Sequence, residues 1–181
     1  SLRGVAKELK VHVTSLYNHV PTKDAVFTEM MKKMVEESEF PIGPFTWQVW
    51  VKRYAEATRA MARKHPGAFQ LFQRGLAQGK KTMDTFESAI AAFRSDGFDA
   101  KSAYCAVRAT NVAAFGLALD DLARYNKPTV PIDPAEIPIE QFPHIHEVVA
   151  IAEETDTFVF LVEALIEGIE ATRSSVAEAA D

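Results

Sequence analysis

The segment that decides the fold reads Leu2-Arg3-Gly4-Val5-Ala6-Lys7-Glu8-Leu9-Lys10-Val11-His12-Val13-Thr14-Ser15-Leu16-Tyr17-Asn18-His19-Val20-Pro21-Thr22-Lys23. Its apolar residues recur at helical spacing over residues 2–10, which predicts a short helix with one buried face. After a break, a second short helix is predicted to run to about Val20, with Leu16 on its buried side. Pro21 ends this helix because proline disfavours helical geometry in the residue before it. Two short helices joined by a tight turn are therefore expected.

The rest of the chain is also predicted to be helical, because no two-residue alternation is long enough to demand a strand. Thr22 is a suitable N-cap for the next helix, which is expected to run to about Glu39. Asp24 lies in its first turn, where the helix dipole favours an acidic residue. Gly97 suits the C-terminal end of a later helix, since glycine tolerates left-handed backbone. Further helices are predicted over about residues 46–65, 69–76, 83–97, 99–125 and 156–175.

Two proline-containing segments interrupt the helices. Residues 40–45 contain two prolines and a glycine, and they mark the predicted boundary between a small domain, residues 1–40, and a larger one, residues 45–181. Residues 126–143 carry five prolines, which predict a semi-rigid extended loop. Apolar residues in this loop are expected to pack against the rest of the chain, and they are Val130, Ile132, Ile137, Ile139 and Phe142.

Charge is distributed unevenly along the chain. Of the 181 residues, 48% are hydrophobic and 25% charged, which is typical of a folded globular protein. Residues 1–35 hold six Lys or Arg and three acidic residues, a net charge of +3, whereas the whole chain has −5. A basic end on an acidic body indicates that the small domain meets an anion.

Composition also excludes several classes of protein. The longest stretch without charged or strongly polar residues is 112–119, far shorter than the ~20 residues of a membrane helix, so we expect no membrane partner. The single cysteine, Cys105, cannot form an internal disulfide or by itself a zinc site. A reducing cytoplasm is the expected location, and no metal or other cofactor is predicted.

The paired short helices form a helix-turn-helix pattern, in which the second helix lies in the DNA major groove. With Leu16 on the buried side, short polar side chains lie near the start of the second helix, where the backbone can approach the bases. Tyr17, His19 and Lys23 are long enough to reach phosphates. Double-stranded DNA is therefore a predicted partner.

These residues resemble the DNA-binding motif of the tetracycline-repressor (TetR) family of transcriptional regulators. The resemblance rests on residues 5–9, on Val11, on the run Ser15-Leu16-Tyr17-Asn18-His19-Val20 and on Lys23. It implies that DNA is contacted by Arg3, Val13, Thr14, Ser15, Tyr17, Asn18, His19 and Lys23. It further implies an all-helical homodimer whose small DNA-binding domain is carried by a larger core that binds a small-molecule effector.

Two features depart from the family pattern. Lys10 stands where the family usually has glycine, so either it adopts left-handed backbone at a cost of roughly 1 kcal/mol or the turn differs slightly. In addition, Ser1 corresponds to a position inside the family's second helix. The family's first helix is therefore expected to be absent from this 181-residue sequence.

The helices at 99–125 and 156–175 are predicted to form the dimer interface. Small residues in the first permit close helix approach, and the second has more apolar surface than one core easily absorbs. The predicted interface residues are Ala103, Val107, Thr110, Ala114, Ala118, Phe158, Leu161, Val162, Leu165 and Ile169. A two-fold dimer places two recognition helices about 34–36 Å apart, which predicts a palindromic operator.

Aromatic residues of the larger domain are candidates for an effector cavity, although aromatics at helical spacing are also typical of ordinary core. The candidates are Trp47, Trp50, Tyr54, Phe69, Phe72, Phe86, Phe93, Tyr104, Asn111 and Phe115, with His144 and His146 at a lid. The two histidines without an evident third ligand do not predict a metal site.

The sequence thus favours a ligand-responsive transcriptional regulator, foremost a repressor that leaves a palindromic operator when a small molecule binds. A helical small-molecule-binding protein without a DNA-binding role is the alternative. An enzyme is the least supported class, because the sequence contains no Gly-rich phosphate loop, nucleophile elbow or catalytic Cys/His pattern.

Overall fold

The computed structural model describes residues 2–8, 10–12, 14–15, 22–70, 72, 79–126, 133–152 and 156–178. Within these ranges the regular secondary structure is helical, as the sequence predicts. The helices are α1 (Leu2–Glu8), α2 (Lys23–Glu37), α3 (Trp47–Lys64), α4 (Pro66–Phe69), α5 (Lys80–Ser95), α6 (Ala100–Asn126), α7 (Pro143–Ala152) and α8 (Thr157–Glu178). A 3₁₀ turn covers Pro134–Glu136.

Local capping explains several helix ends. The Thr22 hydroxyl oxygen accepts a hydrogen bond of 3.1 Å from the backbone N–H of Ala25, so Thr22 caps α2 as predicted. Asp99 precedes α6 and accepts 2.9 Å bonds from the backbone N–H and the hydroxyl of Ser102. Gly97 has φ +92° just after α5, which confirms the conformation expected of it. Thr46 precedes α3 but makes no side-chain cap hydrogen bond.

The turn after α1 has left-handed backbone at Lys10, with φ +54°. The N–H of Lys10 donates to the carbonyl oxygen of Lys7 at 3.2 Å, and the N–H of Val11 donates to that of Ala6 at 3.0 Å. Of the two possibilities left open for this turn, the structure therefore adopts the left-handed one.

Helix α3 lies at the centre of the larger part and packs against α5, α6 and α8. At its start the Trp47 ring stacks on Phe93, with centroids 5.3 Å apart, and meets Phe98 edge-on at 5.7 Å. The Trp47 indole Nε1 donates a 2.8 Å hydrogen bond to Asp96 Oδ2, which satisfies its polar atom. Each such buried ring removes about 150–250 Å² from water and so stabilises the fold by about 4–6 kcal/mol before entropy is counted.

An ion-pair network joins α3 to α6 and α8. Arg59 and Arg63 of α3 donate to the carboxylate of Asp121 at 2.6 and 2.7 Å. The Arg59 guanidinium also lies 4.3 Å from the centre of the Phe158 ring, on the first turn of α8. The network holds the helices in a fixed relative position at the end of α3 farthest from Trp47.

Of the loop predicted over residues 126–143, the structure describes Asn126 at the end of α6, residues 133–142 outside any α-helix, and Pro143. Pro143 begins helix α7 because proline fits the first turn of a helix. The sequence analysis did not predict this helix. Ile139 and Phe142 are exposed, so the prediction that they pack against the rest of the chain is wrong for these two. Val130 and Ile132 lie outside the described residues, as does most of the predicted helix over 69–76 beyond Phe72.

Of the helices that the structure describes, none has the length and apolarity that crossing a membrane requires.

Candidate functional site

A cavity of about 80 Å³ lies between α3, α5, α6 and the end of α2. Its described lining is apolar, aromatic or polar without charge. The lining residues are Val35, Phe40, Trp50, Tyr54, Met61, Phe72, Thr82, Thr85, Phe86, Val107, Asn111 and Phe115. The cavity therefore has the composition of a small-molecule site, with few polar groups in an apolar wall.

Helical spacing brings these side chains to one place. On α6 the lining residues Val107, Asn111 and Phe115 are four residues apart, so they share one face. On α3 the residues Trp50 and Tyr54 are likewise four apart, and their rings stack with centroids 4.8 Å apart. Two flat, parallel aromatic surfaces thus form part of the wall.

A hydrogen-bonded pair supplies the polar part of the wall. The Asn111 amide Nδ2 donates a 2.6 Å hydrogen bond to the Tyr54 hydroxyl oxygen. Burial raises the pKa of Tyr54 to about 12, so the phenol keeps its proton at neutral pH. Two other donors in the wall are bound to backbone carbonyls, since Trp50 Nε1 donates to Pro41 at 3.2 Å and the Thr85 hydroxyl donates to Lys81 at 2.7 Å.

Six of the predicted effector residues line this cavity, namely Trp50, Tyr54, Phe72, Phe86, Asn111 and Phe115. Phe93 does not, because it is fully buried against Trp47 in the core. Tyr104 is 52% exposed on α6. His144 and His146 lie on α7, which packs against the 3₁₀ turn, and neither is among the described lining residues. Phe69 stacks on Phe115 behind the wall.

Sequence reasoning missed half of the lining. Val35 belongs to α2, which had been assigned to the DNA-binding part, and Phe40 belongs to the predicted domain boundary. Thr82 and Thr85 are polar, so a search for aromatic side chains did not select them. Thr82, Thr85 and Phe86 stand at positions i, i+3 and i+4 of a helix. This spacing would have placed the two threonines on the same face as Phe86.

The cavity is linked to the end of α2 by Lys81. This residue follows Lys80 at the start of α5 and precedes Thr82 of the lining. Its ammonium Nζ donates to the carbonyl oxygens of Glu36 at 2.9 Å and of Ser38 at 2.5 Å. These carbonyls belong to the last turn of α2 and its C-cap, where no intrahelical N–H is available and a positive charge is favoured.

Four predicted DNA-contacting residues are described, and all four are exposed. Arg3 lies on α1, and Lys23 begins α2 with its ammonium 5.3 Å from the centre of the Phe27 ring. The Thr14 hydroxyl is 3.2 Å from His12 Nδ1, and the N–H of Ser15 donates to the carbonyl of His12 at 3.0 Å. The other four lie outside the described residues, and they are Val13, Tyr17, Asn18 and His19.

The predicted dimer residues are mostly buried within the single chain, so their assignment to the interface is corrected. Their exposed fractions are 9% or less because they pack in the cores around α3, and they are Ala103, Val107, Thr110, Ala114, Ala118, Phe158, Val162 and Ile169. Leu161 is 41% exposed and Leu165 is half-buried. Apolar side chains that do face solvent on these two helices include Val112, Val159 and Phe160.

No group of three or more His, Cys, Asp or Glu that could hold a metal ion occurs among the residues with described positions.

Comparison with known proteins identifies the family. Residues 40–173 match the family model of the tetracyclin repressor-like C-terminal domain. The chain belongs to the TetR family of transcriptional regulators. It is 32% identical over 99 residues to the HTH-type transcriptional repressor DrrR1 of Streptomyces coeruleorubidus, an alignment that covers 54% of this chain. The chain spans 37% of the length of that relative.

Two solved structures share the fold. A possible TetR family transcriptional regulator from Streptomyces coelicolor A3(2) has a TM-score of 0.79 at 23% identity, covering 95% of this chain and 89% of its own. The TetR family protein ActR of Streptomyces coelicolor, in complex with actinorhodin, has a TM-score of 0.77 at 23% identity, covering 95% and 87%. The all-helical fold is thus that of TetR-family regulators.

Proposed function

We propose that this TetR-family chain is a ligand-responsive transcriptional repressor, which binds a palindromic operator as a homodimer and releases it when a small molecule occupies the cavity. The observation that carries the proposal is that one cavity is lined both by the helices of the larger part and by Val35 of α2. Helix α2 follows directly on the segment that resembles the family's DNA-binding motif. The relative named as a repressor and the ActR complex with actinorhodin support this function.

The proposed DNA surface consists of the exposed residues Arg3, Thr14, Ser15 and Lys23, together with Val13, Tyr17, Asn18 and His19, which the family resemblance supplies. The net charge of +3 over residues 1–35 favours phosphate binding. The acidic remainder of the chain repels the DNA backbone. Contact is therefore expected at one end of the molecule.

The proposed allosteric route runs through Lys81. A ligand that displaces Thr82 or Phe86 of α5 also shifts Lys81, whose two hydrogen bonds hold the end of α2. Movement of α2 changes the position of the segment that precedes it. Because a ligand shifts an equilibrium only by its differential affinity for the two states, about 1–3 kcal/mol of coupling is expected.

The proposed dimer uses the solvent-facing side of α6 and α8. Phe160 is 71% exposed, and Val112, Val159 and Leu161 are exposed as well. A second copy would cover these apolar side chains. The two-fold axis would then present two DNA-binding segments at the spacing of successive major grooves.

Selection from a pool of random DNA duplexes tests this function. We expect the chain to enrich a palindrome with half-sites about one helical turn apart. Lys23→Ala is expected to weaken binding to all duplexes and to reduce the slope of log affinity against log salt by about one. Lys52→Ala is the matched control, because Lys52 pairs with Glu163 on the larger part at 2.6 Å. Failure to enrich any duplex would leave the alternative, a small-molecule-binding protein without a DNA role.

A further inference from the structure

We propose that the cavity binds an uncharged aromatic ligand carrying a hydroxyl or carbonyl group, that Tyr54 and Asn111 recognise this group, and that the Phe86 side chain turns out of the rim to admit the ring. The inference deepens the proposed function and rests on it, since it takes this cavity to be the effector site. It assigns a ligand class and gives three side chains separate roles.

The wall argues for an uncharged ligand. Its described lining has no ionisable side chain other than Tyr54, whose phenol stays neutral because burial raises its pKa to about 12. Lys81 is close along the chain, but its ammonium is bound to the carbonyls of Glu36 and Ser38. The charge of Arg108 also acts on Tyr54, but Arg108 is not among the described lining residues. A carboxylate or ammonium group would therefore lose its hydration on entry without forming an ion pair with a described lining residue, and such burial is strongly unfavourable.

The wall also argues for an aromatic ligand. Trp50 and Tyr54 are stacked with an angle of 16° between their planes, and Phe40 is inclined to Tyr54 with centroids 5.2 Å apart. Phe72 and Phe115 add two further rings, 5.5 Å apart. Aromatic rings prefer offset-stacked or edge-to-face neighbours at about 4.5–7 Å, so a flat ring gains contacts here that an aliphatic chain of equal area does not.

The Tyr54–Asn111 pair is a hydrogen-bonded polar group of the wall, and the Thr82 hydroxyl is a further polar group of the lining. Asn111 uses one amide hydrogen on the Tyr54 oxygen, and the Thr58 side chain also interacts with the Tyr54 phenol. The pair therefore presents the Asn111 carbonyl as an acceptor and the phenolic O–H as a donor that a ligand would share with Thr58. A ligand hydroxyl can bond to both, and a ligand carbonyl can accept from the phenol. The indole of Trp50 and the hydroxyl of Thr85 already donate to the backbone.

The size of the cavity assigns the role of Phe86. The volume of about 80 Å³ is below the ~150 Å³ of an apolar cavity that holds benzene, so a ring needs additional room. Phe86 is 42% exposed while also lining the cavity, so it stands at the rim. Turning the Phe86 ring outward exposes little additional apolar area to water, whereas displacing the fully buried Trp50 would expose much more.

Calorimetric titration of the chain with three matched probes tests the ligand class. The probes are 2-naphthol, naphthalene, which lacks the hydroxyl, and 2-naphthoate, which carries a charge. We expect 2-naphthol to bind about 5-fold more tightly than naphthalene, as one net hydrogen bond provides. We expect 2-naphthoate to bind at least about 10-fold more weakly than 2-naphthol. Equal binding of naphthol and naphthalene, or preferred binding of naphthoate, overturns the proposal.

Two variants test the residue roles. In Tyr54→Phe the preference for 2-naphthol over naphthalene should fall towards 1, with naphthalene binding unchanged. In Phe86→Ala both uncharged probes should bind more tightly than to the wild-type chain. Met83→Ala is the matched control, because Met83 is an exposed residue of the same helix outside the lining, and it should bind all probes as the wild type does. No binding of any probe to either wild type or Phe86→Ala also overturns the proposal.

The outcomes separate this inference from the proposed function. If 2-naphthol binds as expected but leaves the affinity for the selected duplex unchanged, the ligand class stands while the cavity is not an effector site. If the chain binds a palindrome but none of the probes, the DNA-binding function stands and the ligand class is wrong.

Discussion

Lys81, the second residue of α5, donates hydrogen bonds to the carbonyl oxygens of Glu36 and Ser38, at the end of α2. The bonds span more than 40 residues of sequence and join the helix that lines the cavity to the helix that follows the DNA-binding segment. A charged donor at the carbonyl end of a helix is electrostatically favourable. Lys81 therefore stabilises the fold and, in the proposed mechanism, couples the cavity to helix α2.

Lys81→Met should lower the stability of the fold and uncouple the cavity from helix α2. Loss of the charge-assisted bonds is expected to reduce the free energy of unfolding by about 1–3 kcal/mol. Ligand-induced release of DNA should also weaken. Thermal unfolding and mobility shifts with and without ligand measure the two effects.

Lys80→Met is the control for this prediction, since Lys80 pairs with Asp84 on the surface at 2.7 Å. Its effect should stay below about 0.5 kcal/mol because exposed pairs contribute little. An equal loss of stability in both variants would contradict the role assigned to Lys81.

Asp121→Asn should change the acid stability of the chain. Although burial raises the pKa of Asp121, hydrogen bonds from Arg63 and Arg59 outweigh it and hold the pKa of this carboxyl below its usual range. A carboxyl whose pKa is lower in the folded state stabilises the fold above its unfolded pKa, and this contribution is lost as the pH falls through the folded pKa. The wild type should therefore lose more stability than the variant as the pH falls from about 5 to below 3.8, at the acidic end of a urea-unfolding series.

Asp120→Asn is the neighbouring control, because Asp120 pairs with Arg124 on an exposed face at 3.0 Å. At neutral pH Asp121→Asn is expected to cost about 1–3 kcal/mol, since it removes the carboxylate that accepts hydrogen bonds from both Arg59 and Arg63. Asp120→Asn should cost less than about 0.5 kcal/mol. Identical pH profiles for Asp121→Asn and wild type would refute the assignment.

Phe93→Ala should be far more destabilising than Phe86→Ala. Phe93 is fully buried between Trp47 and Phe98, so its removal leaves a cavity and is expected to cost about 3–5 kcal/mol. Phe86 is half exposed at the rim, so its removal should cost clearly less. Chemical denaturation of the two variants gives the comparison, and equal losses would contradict the placement of Phe86 at an open rim.

Phe160→Glu should dissociate the proposed dimer. Among the described side chains of α8, Phe160 is the most exposed large apolar one, and a carboxylate there would be buried without a partner charge in the assembly. Light scattering after size-exclusion chromatography should show a dimer for the wild type and a monomer for the variant. Met83→Glu, at an exposed position on α5, should remain dimeric. A variant that stays dimeric would place the interface elsewhere.

Local chemistry made several features predictable from sequence. These features are the N-cap at Thr22, the left-handed backbone at Gly97 and the left-handed backbone considered for Lys10. Each depends on residues at most a few positions away. The candidate residues chosen from the sequence also included Trp50, Tyr54 and Asn111, which meet in the cavity. In contrast, helix α7 was not predicted because Pro143 was counted with the prolines before it as part of a loop, although proline fits a first helical turn.

The sequence by itself determined the helical class and the family resemblance, because helix periodicity, caps and a contiguous motif are local properties. The tertiary structure alone decided which sides of α6 and α8 are buried, so that Ala103 and Val162 lie in the core while Phe160 faces solvent. Both helices carry small and apolar residues on several of their faces. Each helix could therefore bury an apolar face in more than one rotation about its own axis. The packing against α3 selects one of them, and the same packing brings Val35, Thr82 and Asn111 from distant parts of the chain to a single cavity.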